Sequence, residues 1–168
     1  PFVEPPSSDD FSASQLGLQW QWNHNPDDSK WSLTQRPGFL RLHATQADGI
    51  WSARNTLTQK TQGPRMRGVV KIDTSGIKAG DLCGFGSFGK YNAQLAVAGG
   101  AKGAQALRVQ LTESTTNGPR TQVIVPSQPI KARALWLRTD MDFDANLWLR
   151  TAPLVEGLLT AAYIYCRE

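Results

Sequence analysis

Short runs of alternating apolar and polar residues are the feature that most restricts how this chain can fold. Across residues 16–23, one parity is held by four large apolar residues, Leu16, Leu18, Trp20 and Trp22. This period of two is typical of a half-buried β-strand, because successive side chains point to opposite faces of a sheet. Similar runs recur as far as Arg138, among them residues 68–73 and 134–138, and β-compatible residues predict a further strand over 50–62. Turn sequences such as Arg36-Pro37-Gly38 and Asn117-Gly118-Pro119 separate these runs. We therefore predict an all-β antiparallel sandwich of jelly-roll type.

The length of 168 residues suits one domain. We expect residues 1–8, rich in proline and serine, to be the remnant of a linker, and residues 9–168 to form a single sandwich. Turn signals fade over residues 146–168, which fit a helix as well as a strand, so how the sandwich closes stays open. Cys83 and Cys166 lie far apart with no metal-ligand spacing, and their redox state also stays open.

Charge and hydropathy argue against two classes of partner. Eighteen basic and fourteen acidic residues give a net charge of +4, but the basic residues are scattered, which does not indicate nucleic-acid binding. No apolar run approaches the roughly eighteen residues of a membrane-spanning helix, and the start lacks the charged and apolar segments of a signal peptide. We expect neither nucleic acid nor membrane as a partner.

Aromatic, amide and imidazole side chains cluster in the segment 20–26, followed by Trp31 and Trp51. Sugars present apolar C–H faces and a rim of hydroxyls, so a sugar site needs rings for stacking and fixed polar groups for hydrogen bonds. The polar run 54–62 offers further hydrogen-bonding side chains. We predict a carbohydrate-binding site of seven residues: Trp22, Asn23, His24, Asn25, Trp51, Arg54 and Gln59.

Each part of this predicted site also has a purely structural interpretation. The tryptophans suit core packing, the asparagines suit a turn, and the run 54–62 suits an ordinary solvated sheet face.

Residues for nucleophilic catalysis are scarce. The chain has only His24 and His43, no G-x-S-x-G sequence, and a glycine run at 84–89 without the Lys-Ser/Thr ending of a phosphate loop. We therefore predict no catalytic residues and no required cofactor. A remote carboxylate pair for glycoside hydrolysis stays open.

A structural calcium ion is an additional prediction, with Asp10 and Asp142 as its ligands. Asp9 and Asp144 lie beside them in the sequence, and the alternative is that all four are solvated turn charges.

Several stretches occur in a characteristic order and spacing through about Asp144. They are Asp9-Asp10-Phe11-Ser12, residues 16–26, Trp31-Ser32-Leu33 leading into residues 36–42, residues 53–59 with Gln62-Gly63-Pro64, and Asp73-Thr74-Ser75-Gly76 with Gly80-Asp81. In these stretches the chain resembles the C-terminal concanavalin A-like β-sandwich of bacterial family 43 glycoside hydrolases, the β-xylosidases and α-L-arabinofuranosidases. Beyond Asp144 the chain departs from that pattern, since the Ser-Leu-Asp-Gly-like hairpin and the closing aromatic strand are not visible.

The resemblance implies a concanavalin A-like two-sheet sandwich that is not an enzyme by itself. It would be a carbohydrate-binding module of a xylan-degrading hydrolase, binding xylan- or arabinoxylan-type chains in the periplasm or outside the cell. One alternative is a structural domain that packs on and completes an upstream five-bladed catalytic propeller, and a weaker one is a self-sufficient glycosidase. Sugar preference and oligomeric state stay open.

Overall fold

Eleven β-strands supply nearly all the regular structure in the computed structural model, which describes residues 6–89, 91–142 and 159–166. The strands are β1 (Trp20–Trp22), β2 (Trp31–Ser32), β3 (Arg41–Leu42), β4 (Leu57–Lys60), β5 (Arg65–Asp73), β6 (Asp81–Phe88), β7 (Tyr91–Gly99), β8 (Gln105–Thr115), β9 (Gly118–Ile130), β10 (Ala134–Asp142) and β11 (Leu159–Cys166). Within the described ranges, helix is limited to two three-residue 3-10 turns, Asp28–Lys30 and Ala101–Gly103. The predicted all-β class is confirmed.

Seven strands form one large sheet in the order β1-β4-β11-β6-β7-β8-β9. Strands β10 and β5 form a second sheet, and β2 pairs with β3 in a short hairpin. Every strand pair is antiparallel. This arrangement agrees with the predicted antiparallel sandwich.

The two sheets pack against each other at Phe85 of β6. A Cβ atom on Gly68 of β5 would lie 2.8 Å from Phe85 Cζ, so the absent side chain lets the ring approach the β5 backbone. Leu137 and Met141 of β10 are buried. The small sheet therefore covers one face of the large sheet, as a sandwich requires.

The opposite face of the large sheet is covered by a loop, residues 44–56. Ile50 and Ala53 from this loop form a buried cluster with three residues of the sheet, Leu82, Phe88 and Ala96. Burial of these apolar side chains is the main force that holds the loop on the sheet.

The sequence pattern over 50–62 predicted a strand, and this prediction is wrong for residues 50–56. The backbone amides of Ser52 and Ala53 both donate to the carbonyl of Gly49, at 3.2 and 3.1 Å, which closes a turn. Ile50 and Ala53 reach the core from that turn with a spacing of three, which a strand cannot provide because its side chains alternate faces. Tertiary burial has overridden local β-propensity here.

Both turn sequences noted above connect antiparallel strands. Arg36-Pro37-Gly38 lies between β2 and β3, where Phe39 N donates to Arg36 O at 3.1 Å and Gly38 has φ +77°. Gly118 opens β9 with φ +102°. Glycine suits both positions because positive φ strains residues that carry a Cβ.

The chain ends are described in part. Residues 159–166 form β11 in the middle of the large sheet, which selects the strand interpretation for that stretch, whereas 143–158 and the linker residues 1–5 lie outside the described residues. Cys83 is a free, buried thiol whose pKa burial raises to about 12. Within the described ranges, no helix has the length and apolarity to cross a membrane.

Candidate functional site

Two loops meet where β1 and β4 pair, at one edge of the large sheet. Beyond β1 the backbone amide of Asn23 donates to Thr56 O at 2.9 Å. Two side-chain nitrogens then contact the backbone carbonyl oxygen of Trp51. Asn23 Nδ2 lies 2.8 Å from it and His24 Nε2 lies 2.7 Å from it. A carbonyl can only accept, so Nε2 of His24 carries a proton, and Nδ1 is an acceptor in the neutral ring. We call residues 23–30 and 49–56 the loop pair.

Asn55 connects the two halves of the loop pair from within. Its side chain is completely buried, at 0% exposure. Its Nδ2 donates to Lys30 O at 2.9 Å, and its Oδ1 accepts from Asp27 N at 3.3 Å. Both ends of the buried amide are therefore paired with backbone, which holds the loops in one arrangement.

Arg54 provides a second cross-link at the surface. Its Nε donates to the backbone carbonyl of Asn25 at 3.0 Å. Arg54 and Asn25 are both exposed. A guanidinium has five N–H donors, so Arg54 keeps several for a ligand after this contact.

Trp51 is the aromatic surface of the loop pair. Its ring stacks on Phe88, with 5.2 Å between centroids and 15° between planes, and the residue is 45% exposed. Phe88 is buried, so it supports one ring face and fixes the indole with its other side open. A large aromatic side chain held in this way loses little entropy when it binds a ligand.

Trp22 and Gln59, the other two predicted site residues, lie on the opposite face of the large sheet. Trp22 pairs with Leu57 across β1 and β4, and Gln59 lies two residues further along β4, so all three share one face. Phe88, which supports Trp51, shares the other face, because β11 pairs Leu159 with both Phe88 and Lys60.

The contacts of these two side chains agree with inward positions. Trp22 is half-buried and packs on Trp31, with ring centroids 5.1 Å apart. Gln59 is 8% exposed and donates to Ser7 O at 3.1 Å.

The structure therefore brings together five of the seven predicted residues, Asn23, His24, Asn25, Trp51 and Arg54. It adds Asn55 and Phe88, which sequence reasoning did not single out. Asn55 stands beside Arg54 in the polar run, but burial alone distinguishes it. Phe88 lies on a distant strand, so no local pattern could pair it with Trp51.

The loop pair also contains an ionised carboxylate. Asp27 Oδ1 accepts from Ser29 Oγ at 2.6 Å and from Ser29 N at 3.0 Å. These bonds, led by the hydroxyl, hold the pKa of Asp27 below its usual range. The carboxylate of Asp27 is the N-cap of the 3-10 turn at Asp28–Lys30, which stabilises the conformation of this loop.

The two aspartates predicted to bind calcium have protein partners. Asp10 Oδ1 accepts from Ser12 N at 3.0 Å, and Asp142 Oδ2 accepts from Arg65 Nε at 2.8 Å. In the parts of the chain that the structure describes, three or more His, Cys, Asp or Glu side chains do not gather at any point. The calcium site stays a prediction.

Residues 8–150 match the family model of the β-xylosidase C-terminal concanavalin A-like domain. A β-xylosidase of Formosa agariphila is 41% identical over 111 residues, covering 53% of this chain and 19% of that protein.

Solved structures show the same fold. A bifunctional family 43 protein of Bacteroides eggerthii superposes with a TM-score of 0.74 at 29% identity, over 94% of this chain and 23% of the other. A family 43 glycoside hydrolase engineered for endo-xylanase and exo-arabinofuranosidase activity gives a TM-score of 0.76 at 25% identity, over 99% of this chain and 39% of the other. The chain thus corresponds to less than half of each of these proteins.

Proposed function

Because the chain belongs to the family of C-terminal concanavalin A-like domains of β-xylosidases, we propose that it is a noncatalytic module that binds xylan-type chains through the loop pair. The observation that carries the proposal is the half-exposed Trp51, supported by Phe88 and surrounded by anchored polar groups. We place this binding in the periplasm or outside the cell.

The chemistry of the loop pair suits a neutral sugar. The open ring face of Trp51 can pack on the C–H face of a pyranose. Hydroxyls both donate and accept, and the loop pair offers both partners: the remaining N–H groups of Arg54 donate, and the ring nitrogen Nδ1 of His24 is the acceptor. Since internal hydrogen bonds already fix these groups, binding requires little ordering.

We expect Trp51→Ala to weaken binding of xylohexaose about tenfold, because the variant loses the apolar contact of one aromatic ring, worth about 1.4 kcal/mol. Isothermal titration of the purified chain measures this affinity. Leu18→Ala is the control, since Leu18 is also an exposed apolar residue but lies before β1, outside the loop pair. Equal affinities for Trp51→Ala and the unmodified chain would contradict the proposal.

A second candidate function, a structural domain that packs on a catalytic propeller, has support of its own in β9. This strand forms an edge of the large sheet, and three consecutive apolar residues on it, Val123, Ile124 and Val125, are between 42% and 45% exposed. An exposed apolar edge strand is typical of a surface that another protein surface covers.

We expect Ile124→Lys to lower the melting temperature of the protein joined to its upstream catalytic domain by about 2–4 °C, since a charge would enter an apolar contact. The isolated chain should melt unchanged. Gln122→Lys, at an exposed polar position of the same strand, is the control. Scanning calorimetry of both forms decides, and an equal melting temperature for the joined Ile124→Lys and Gln122→Lys proteins would remove this second function.

A further inference from the structure

The outer face of the small sheet carries a tryptophan among basic residues. In the register of β5 and β10, Trp136 lies opposite Lys71 and Arg138 lies opposite Val69. Directly paired residues and residues two apart share a face, so these four side chains are neighbours on one surface. We call this surface, formed by Val69, Lys71, Trp136 and Arg138, the Trp136 patch.

The Trp136 patch faces away from the core. Leu137, between Trp136 and Arg138 in sequence, is buried, which orients both of its neighbours outward. Trp136 is 70% exposed and Val69 is also exposed. An exposed indole beside an exposed valine on a flat sheet is the kind of surface that a ligand with an apolar face covers.

The charge of this surface is positive. Arg138 Nε and Arg67 Nε share one carboxylate, that of Asp140, at 2.9 and 2.6 Å. The hydrogen bond from Arg67 holds the pKa of Asp140 below its usual range, so the carboxylate stays ionised at neutral pH. The other two carboxylates on this face are each paired with an arginine, Asp73 with Arg36 and Asp142 with Arg65. Lys71, Arg67 and Arg138 against Asp140 then leave a net charge of +2.

Lys71 is the cation best placed to contact a ligand. Its Nζ lies 5.8 Å from the centroid of the Trp136 ring, which is a cation–π distance. Among the described residues, no carboxylate lies within ion-pair distance of this ammonium group. Of the carboxylates that the structure describes, none competes with a ligand carboxylate for this ammonium group.

We propose that the Trp136 patch binds a hexuronic acid unit, such as a glucuronic acid side group of a xylan-type chain. The C–H face of the sugar ring stacks on the Trp136 indole, and its carboxylate pairs with Lys71 and Arg138. Charge complementarity and the exposed ring select an acidic pyranose over a neutral one. The link to a xylan-type chain rests on the proposed function, but the surface is separate from the loop pair.

The test compares two probes of equal backbone, xylotriose and xylotriose carrying one 4-O-methylglucuronic acid, by isothermal titration of the full chain. At low salt we expect the acidic probe to bind about tenfold more tightly, and this preference to shrink towards physiological salt. Trp136→Ala should abolish the preference. Lys71→Gln should reduce it about threefold and flatten its salt dependence, whereas the control Lys131→Gln, at another exposed lysine, should leave it unchanged.

Each outcome has one meaning for the Trp136 patch. Equal affinity for the two probes, a preference that survives Trp136→Ala, or an equal effect of Lys71→Gln and Lys131→Gln would overturn the inference. Trp51→Ala should weaken binding of the neutral probe without removing the acidic preference. If neutral xylotriose does not bind at all while the acidic probe binds through Trp136, the loop-pair proposal fails and this one stands.

Discussion

Replacing Gly86 with alanine is expected to lower the free energy of unfolding by at least about 3 kcal/mol. Gly86 lies in β6 at the middle of the large sheet, paired with Gln94 of β7. A Cβ atom there would lie 2.0 Å from Ala93 O and 2.9 Å from Gln94 Cα. Both are backbone atoms, so the clash is relieved only by separating two strands that hydrogen-bond each other.

Urea unfolding followed by tryptophan fluorescence measures this effect. Gly76→Ala is the matched control, because a Cβ atom at Gly76 meets nothing within 4 Å. We expect this control to stay within about 0.5 kcal/mol of the unmodified protein. A Gly86→Ala protein with the same urea midpoint as the control would show that β6 and β7 do not approach as closely as described.

Replacing Asn55 with alanine is expected to cost about 2 kcal/mol of folding free energy and to weaken xylohexaose binding about tenfold. The variant leaves Asp27 N without its acceptor, at a position where Asn55 has 0% exposure. It also removes one of the two donors to Lys30 O, which keeps the backbone amide of His43 at 2.8 Å. Unpaired buried groups cost more than the hydrogen bonds had contributed. The loop pair then opens, and the polar groups around Trp51 lose their fixed positions.

Asn55→Asp separates the two hydrogen bonds. A carboxylate can still accept from Asp27 N but repels Lys30 O, so we expect it to be at least as destabilising as alanine. Asn117→Ala, at an exposed turn asparagine, is the control and should change neither stability nor affinity. Chemical denaturation and titration of the same preparations measure both effects, and an Asn55→Ala protein with unchanged sugar affinity would rule out Asn55 as the organiser of the loop pair.

Local sequence patterns predicted strands where one face of the strand is buried and the other is exposed to solvent. Alternation over residues 16–23, 68–73 and 134–138 predicted three strands, which the structure places at Trp20–Trp22, Arg65–Asp73 and Ala134–Asp142. The turn at Arg36-Pro37-Gly38 follows from the conformational freedom of its glycine. The same patterns failed at residues 50–56, where β-compatible residues form a loop whose apolar side chains are buried on a neighbouring sheet.

The site was predictable only in part, for a related reason. The sequence identified candidate sugar contacts in the aromatic and amide residues of 20–26 and in the polar run that begins at residue 54. It did not determine which face of the sheet each side chain occupies, because that depends on the register of strand pairing. Pairing of β1 with β4 places Trp22 and Gln59 on the face of the large sheet opposite Phe88. The loop that covers the Phe88 face stacks one side of the Trp51 ring on Phe88. Trp136 lies on a strand that the sequence predicted, but its pairing with Lys71 across the small sheet is decided by the tertiary structure.

The sequence alone determined the all-β class and the family resemblance, because strand alternation and turn residues act over a few positions along the chain. The tertiary structure decided which tryptophans remain exposed, which amide is buried as a cross-link and which cations share a carboxylate. Those properties depend on contacts between strands that are distant in sequence, and such contacts exist only once the sheets have paired and packed.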